Sequence, residues 1–410
     1  MADDADAGVG AAARPRFKVL VLNQIAPSGL KRLPADRYLV GKDIAAPDAV
    51  LVRSADMHAL TIAPSVQAIA RAGAGTNNIP VRSMSERGVP VFNAPGANAN
   101  AVKELVLAAM LMTARNLAPA LRFVAGLDPH APGMDKAVED GKKAFAGFEI
   151  AGHTLGIVGL GKVGCLVADA AIKLGMQVYG YDPHITVDAA WSLPAQVKKA
   201  ASVAEVLKHS DFVTLHVPLI DATRDLVNAD NIGLMRTAAV LLNFSRVGVA
   251  NERAVLAALD AQRLGWYACD FPSTALNGNP RVIALPHLGA STAEAEENCA
   301  IMVAEQLRDF LEHGNVNNAV NFPPVSMARE SAYRVAIANA NVPNMLGQIS
   351  TAMANAGLNI HNMVNKSRGD MAYTLVDVDS VVNAGVLDTI RAITGVLSVR
   401  YLPNHDSWTR

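Results

Sequence analysis

Short apolar runs alternate with helix-length amphipathic ones through most of the chain, the pattern of parallel α/β units. Near the N-terminus FKVLVLN and AVLVRS read as buried strands, and VQAIARAGAG and VPVFNAPG continue the alternation over residues 16–97. A helix opens near Asn98, after a Pro-Gly turn, and the first domain is expected to span residues 16–114. The polar, Gly- and Pro-containing stretch GLDPHAPGMDKAVEDGKK reads as a connector. A second alternation runs from HTLGIVGLGKVG through QVYGYD, FVTLHVPL, AVLLNFSR and GWYACDF to VIALPH, and predicts another parallel-sheet domain over residues 115–287.

From Ser291 the period changes to that of one long helix. Ser291-x-x-Glu294 has the form of a capping box, and Gly314 stands where a helix would stop. Residues 316–332, with NNAVNFPPVS, read as a linker. Residues 333–410 then read strand, helix, strand, strand, helix, strand, a separate βαββαβ unit.

Composition narrows the function classes. Of 410 residues, 51% are hydrophobic and 18% charged, so large buried cores are expected. A formal charge of −1 argues against bulk electrostatic binding to nucleic acid or anionic lipid, but not against a small anionic substrate held by a local arginine. Three cysteines, Cys165, Cys269 and Cys299, lie far apart with no CxxC spacing, which fits a reducing cytosol and offers no metal site. Residues 1–15 are acidic and rich in small residues and are expected to be a disordered tail rather than a signal peptide. The stretch LVLAAMLMTA is too short to span a bilayer.

The sharpest chemical signal is Gly159-Leu160-Gly161-Lys162-Val163-Gly164, set between a strand and a helix. Gly159 allows the tight turn, Gly161 lets the backbone approach a pyrophosphate, and Gly164 lets the helix pack on the strand. Asp182 follows Gly164 by 18 residues, at the end of the next strand. Its carboxylate suits the ribose hydroxyls and would repel a 2′-phosphate, so NAD is expected over NADP.

Together the stretches RAGAGTNNIPV, VFNAPGANANAVKEL, GLGKVG, HVPL, NFSRVGVANE and LPHLGAST resemble the D-isomer-specific 2-hydroxyacid dehydrogenases, and the C-terminal unit resembles an ACT regulatory domain. The resemblance implies an α/β fold with a flavodoxin-like substrate domain completed by residues 288–315, a Rossmann NAD domain and a βαββαβ ACT domain, and an active site in a cleft between the first two. It implies NAD-dependent oxidation of a 2-hydroxy acid, with 3-phosphoglycerate favoured over other 2-hydroxy acids and over a non-catalytic NAD-sensing scaffold. By the same resemblance Arg246 holds the substrate carboxylate and polarises the C2 oxygen, and His287 carries the proton. Arg53 and the turn around Gly75 are candidates for the substrate's anionic groups. Lys162 and Val163 backbone belong at the pyrophosphate, Phe244 and Ser245 backbone near the nicotinamide, and Asp270 at its carboxamide.

The family pattern breaks after Asp270. Relatives carry a glutamate there that pairs with the histidine, whereas this chain has FPSTALNGNP. Another acid folding in, partial service by Asp270, or an unpaired His287 are all open. In the C-terminal unit, Asn341 and Asn359 match asparagines that bind serine at ACT–ACT interfaces, and Asn339 stands where serine-inhibited relatives carry histidine. L-serine is thus a candidate ligand, and a homo-oligomer is implied.

Overall fold

A computed structural model describes residues 17–404 except 129, 131 and 132, so the expected N-terminal tail lies outside the described residues. The chain forms two compact units. One combines the residues up to Ala97 with those from Glu296, and the other is Asn98–Ala295.

The first unit holds a parallel sheet of β1 (Phe17–Leu22), β2 (Tyr38–Gly41), β3 (Ala49–Val52), β4 (Ala68–Arg71) and β5 (Val91–Phe92), in the order β2-β1-β3-β4-β5. β3 is buried at all four positions, which is why AVLV is apolar without alternation. Val19, Leu51, Ala70 and Phe92 share a core with Val303, Leu307 and Phe310 of the long helix Ala293–His313. That helix is capped one residue later than the sequence reading has it. The Thr292 hydroxyl accepts from Ala295 N–H at 3.1 Å, while Ser291 N–H is spent on Leu288 C=O, so the Ser291–Glu294 box does not form.

The second unit is a seven-stranded parallel sheet of β6 (Thr154–Val158), β7 (Gln177–Tyr181), β8 (Lys198–Lys199), β9 (Phe212–Leu215), β10 (Ala239–Asn243), β11 (Leu264–Cys269) and β12 (Val282–Ala284). Its order is β12-β11-β10-β9-β6-β7-β8, with the direction of winding reversing between β6 and β9. The helix Ala99–Ala114, read from sequence as part of the first domain, belongs here. Its buried face, Val102, Val106, Ala109 and Met110, packs with Leu155, Ile157 and Val167. No single helix among the described residues is long and apolar enough to cross a membrane.

The C-terminal segment forms an antiparallel sheet of β13 (Tyr333–Ala340), β14 (Ile360–Arg368), β15 (Met371–Val378) and β16 (Val396–Pro403), ordered β14-β15-β13-β16. One face carries the helices Met345–Asn355 and Ala384–Arg391 over Val335, Ile337, Val376 and Val378. The other face is not free. Ala336, Tyr373, Leu375 and Leu402 share the core of the long helix with Phe310, Leu311 and Phe322.

Polar contacts lock the same junction. The last carbonyls of a helix lack intrahelical partners and sit at the negative end of its dipole. Here Arg400 donates to Phe310 and Leu311 C=O at 3.0 Å each, Arg334 to His313 C=O at 3.0 Å, and the Tyr373 hydroxyl to Gly314 C=O at 2.9 Å. Arg334 is fully buried, and its guanidinium also meets Asp377 at 2.6 and 2.9 Å and the carbonyls of Met327 and Ala328. All its donors are used, the condition under which a buried charge is tolerated.

Candidate active site

Strand register fixes what meets at one edge of the second unit. Tyr181 pairs with Val158, Val158 with Leu215, Leu215 with Asn243, Asn243 with Cys269 and Cys269 with Ala284. The loops that leave this row carry Asp182, the glycine-rich turn, His216, Ser245 with Arg246, Asp270 and His287. In an open parallel sheet this carboxyl edge, at the point where the winding reverses, is where a ligand binds.

The glycines are required by space. Gly159 has φ of +96°, and a Cβ there would stand 2.4 Å from His216 C=O. A Cβ on Gly164 would stand 2.1 Å from Gly159 C=O, so helix and strand touch through bare backbone. Gly161 faces open space and precedes the helix Lys162–Lys173, whose N-terminus has no side-chain cap. The N–H groups of Lys162, Val163 and Gly164 are the ones a helix leaves without intrahelical partners. Asp182 accepts from Leu160 N–H at 2.8 Å and His184 N–H at 2.9 Å, which ties the turn to the end of β7. Room at Gly161, unspent N–H groups and a carboxylate with remaining lone pairs fit a dinucleotide.

After β10 the chain turns around Asn243, a residue the motif reading passed over. Asn243 is 2% exposed, and its Oδ1 accepts both the N–H and the hydroxyl of Ser245, while its Nδ2 donates to Arg246 C=O at 3.0 Å. Phe244 is buried between them. Arg246 is exposed, with Nη1 donating to Ser245 C=O at 2.6 Å. The only hint in the sequence is an amide ending the buried run AVLLN.

Asp270 has a role that spacing alone does not reveal. Its backbone C=O accepts from His287 N–H at 3.1 Å, and its two carboxylate oxygens accept from Leu288 and Gly289 N–H at 2.7 Å each. One buried residue therefore fixes three consecutive residues of the histidine loop. His287 sits at φ of +58°, a left-handed conformation that costs energy in a non-glycine residue and needs such support. Burial pushes the Asp270 carboxyl up, against the pull of the two N–H groups and of His287.

The His287 ring is exposed and meets Phe271 edge-on at 5.2 Å between ring centres. Among the described residues of this unit no carboxylate pairs with it. Of the three openings left by the missing glutamate, no acid folds in here, and Asp270 acts on His287 through the loop backbone and by its charge. His216, on the neighbouring loop, hydrogen-bonds Thr214 at 3.0 Å, and burial pushes its imidazole down to about 4.

In the first unit, Arg53 follows β3 and Arg71 ends β4, side by side because Val52 pairs with Arg71. Arg53 Nη2 lies 2.6 Å from Glu296. Arg71 Nε donates to Asn78 at 2.8 Å, and its guanidinium lies over Gly73, where a Cβ would be 2.5 Å from Nη1. Gly75 lies in the turn that follows. Arg71 opens the RAGAG run, and nothing in the sequence sets it beside Arg53.

The three asparagines of the C-terminal sheet do not converge. Asn339 is 1% exposed, with Nδ2 on Ala340 C=O and Oδ1 unpaired. Asn341 and Asn359 are exposed, and Asn341 donates to Gly369 C=O at 3.0 Å. They lie at opposite ends of the sheet, since Ala340 pairs with Met371 and Ile360 with Val378, the two ends of β15. At 3.3 Å per residue they are about 25 Å apart within one chain.

The glycine turn, the open helix N-terminus and Asp182 define the second unit as a Rossmann-type dinucleotide-binding domain. Residues 107–289 match the model of the D-isomer specific 2-hydroxyacid dehydrogenase, NAD binding domain. A D-3-phosphoglycerate dehydrogenase of Methanocaldococcus jannaschii is 36% identical over 269 residues, 64% of this chain and 49% of that protein. One of Escherichia coli (strain K12) is 32% identical over 341 residues, 80% of this chain and 79% of that protein. The NAD+-bound 3-phosphoglycerate dehydrogenase of Entamoeba histolytica shares the fold, with a TM-score of 0.58 at 24% identity over 75% of this chain and 99% of that one. The chain belongs to the D-isomer-specific 2-hydroxyacid dehydrogenase family. It spans about half the length of the first of these relatives.

Proposed function

We propose that the chain is an NAD-dependent dehydrogenase that oxidises D-3-phosphoglycerate to 3-phosphohydroxypyruvate, the first step of L-serine synthesis. The observation that carries this reading is the row of loops at one sheet edge, with Arg246, Asp270 and His287 leaving three neighbouring strands beside the glycine turn. Bound NAD supplies the hydride acceptor. Arg246 holds the C1 carboxylate through its planar fork and draws charge onto the C2 oxygen. His287 takes the C2 hydroxyl proton as the C2 hydride leaves, so one hydride and one proton are removed and a carbonyl forms. Arg53, with Arg71 beside it, takes the distal phosphate. The phosphoglycerate dehydrogenases of Escherichia coli and Methanocaldococcus jannaschii support this choice of substrate.

We further propose a homo-oligomer with L-serine bound between C-terminal sheets. Asn341 and Asn359 stand too far apart in one chain to share a serine, so the ligand would need Asn341 from one copy and Asn359 from another. The three cysteines are buried and free, which supports a reducing, cytoplasmic setting.

The test is NADH oxidation against 3-phosphohydroxypyruvate, hydroxypyruvate, glyoxylate and 2-oxoglutarate. The reading expects the phosphorylated acid to have the highest kcat/KM. No turnover of any of them would overturn it.

A further inference from the structure

The first unit places a carboxylate where the proposed function needs positive charge. Glu296 begins a turn of the long helix, and its Oε1 is 2.6 Å from Arg53 Nη2, with the two side chains 41% and 33% exposed. Cys299 lies three residues on, on the same helix face. Burial pushes its thiol up, Arg53 and Arg71 pull it down, and Glu296 pushes it up again. The same three charges all act on the one Cys299 thiol. The Arg53 hydrogen bond holds the Glu296 carboxyl below its usual range, so it is ionised at neutral pH.

We propose that Glu296 is a specificity-determining residue: a built-in counter-anion on Arg53 that the distal anionic group of the substrate must displace. This rests on the reading of Arg53 as the distal-anion residue. With Glu296 in place, the charge of Arg53 is already matched by a carboxylate. A substrate anion has to replace an existing bond to Arg53 and approach a like charge. A phosphate dianion that bridges Arg53 and Arg71 can do so, whereas a group that offers one weak acceptor gains nothing over Glu296. The carboxylate lowers affinity for every distal anion and thereby rejects the weaker ones.

Glu296→Gln keeps the shape and a hydrogen-bond acceptor but removes the charge. Exposed ion pairs contribute up to about 1 kcal/mol, so KM for 3-phosphohydroxypyruvate should fall roughly three- to fivefold in this variant. Its kcat should move less than its KM, and the KM for hydroxypyruvate, which has no distal anion, should stay put. In an Arg53→Gln background the same substitution should lower KM by a smaller factor, since only the like-charge repulsion is left to remove. A rise in KM for the phosphorylated substrate, or equal shifts for both substrates, would overturn the proposal. Inorganic phosphate provides a readout that needs no turnover. It should raise the Tm of Glu296→Gln at several-fold lower concentration than the wild type, and identical titrations of the two proteins would reject the counter-anion role. An absence of turnover with either substrate would refute the dehydrogenase reading, and the phosphate titration would still decide the role of Glu296.

Discussion

Asp270→Asn isolates the device that holds the histidine loop. The wild-type carboxylate accepts two backbone N–H groups at 2.7 Å while only 2% exposed. Hydrogen bonds to a charged acceptor contribute about 1.5–3 kcal/mol each. An asparagine offers one carbonyl oxygen and turns an NH2 group toward the other N–H, so one bond becomes neutral and one is lost. The expected cost to the closed loop is about 2–4 kcal/mol. His287 occupies a left-handed backbone position that this closure supports, so the loop should relax and carry the ring away. A displacement of about 1 Å at a reacting group costs on the order of 100-fold in rate. The assay is steady-state reduction of 3-phosphohydroxypyruvate together with a thermal melt. Asp270→Asn should lose about 100-fold in kcat and several degrees in Tm. A kcat within about twofold of wild type at unchanged Tm would refute the view that Asp270 acts through the loop backbone.

Three further outcomes follow from the geometry. Gly159→Ala should abolish NADH binding and lower Tm, because its Cβ would stand 2.4 Å from His216 C=O at φ of +96°; fluorescence titration with NADH checks this. Asp377→Ala leaves the buried Arg334 guanidinium without its counter-ion and should cost about 3–5 kcal/mol in urea unfolding. His216 binds its proton only near pH 4 in the folded chain but at 6.5 in a free side chain, so the unfolded state holds more protons between those values. Stability should therefore fall as pH drops from 6.5 toward 4, by about 1–2 kcal/mol at about pH 5, His216 being half-buried as a residue. His216→Gln should shrink the difference between urea midpoints at neutral and acid pH.

The legible parts of this molecule were those that local pattern dictates. Buried runs such as AVLV and AVLLN, the glycine turn and Asp182 follow from periodicity, backbone space and spacing within one βαβ unit. β2 was not legible, because YLVG has mixed burial and no turn signal of its own. The pairs that tie distant segments left no trace in the sequence. Arg53 with Glu296, Arg334 with Asp377 and Arg400 with the carbonyls of Phe310 and Leu311 each join residues tens to hundreds of positions apart. Arg334 and Arg400 read from sequence as ordinary surface charges, and Arg53, a candidate by resemblance, carries no sign of its partner Glu296. The helix Ala99–Ala114 reads as part of the first domain for a related reason: its apolar face is visible in the sequence, but which sheet covers it is a tertiary fact. The resemblance places Asp270 at the cofactor, and its hydrogen bonds to residues 288 and 289 are a further role that joins segments too far apart in sequence to be read.

The central claim is that Arg246 and His287 perform dehydrogenase chemistry on a phosphorylated 2-hydroxy acid. The most direct test is the kcat of purified His287→Asn and Arg246→Gln with NADH and 3-phosphohydroxypyruvate, with NADH affinity measured in parallel. General acid–base catalysis contributes about 10²–10⁴-fold, so His287→Asn should lose a factor in that range. Arg246→Gln should lose kcat and raise KM together, and both variants should bind NADH like the wild type. Wild-type turnover in the His287→Asn protein would contradict the account.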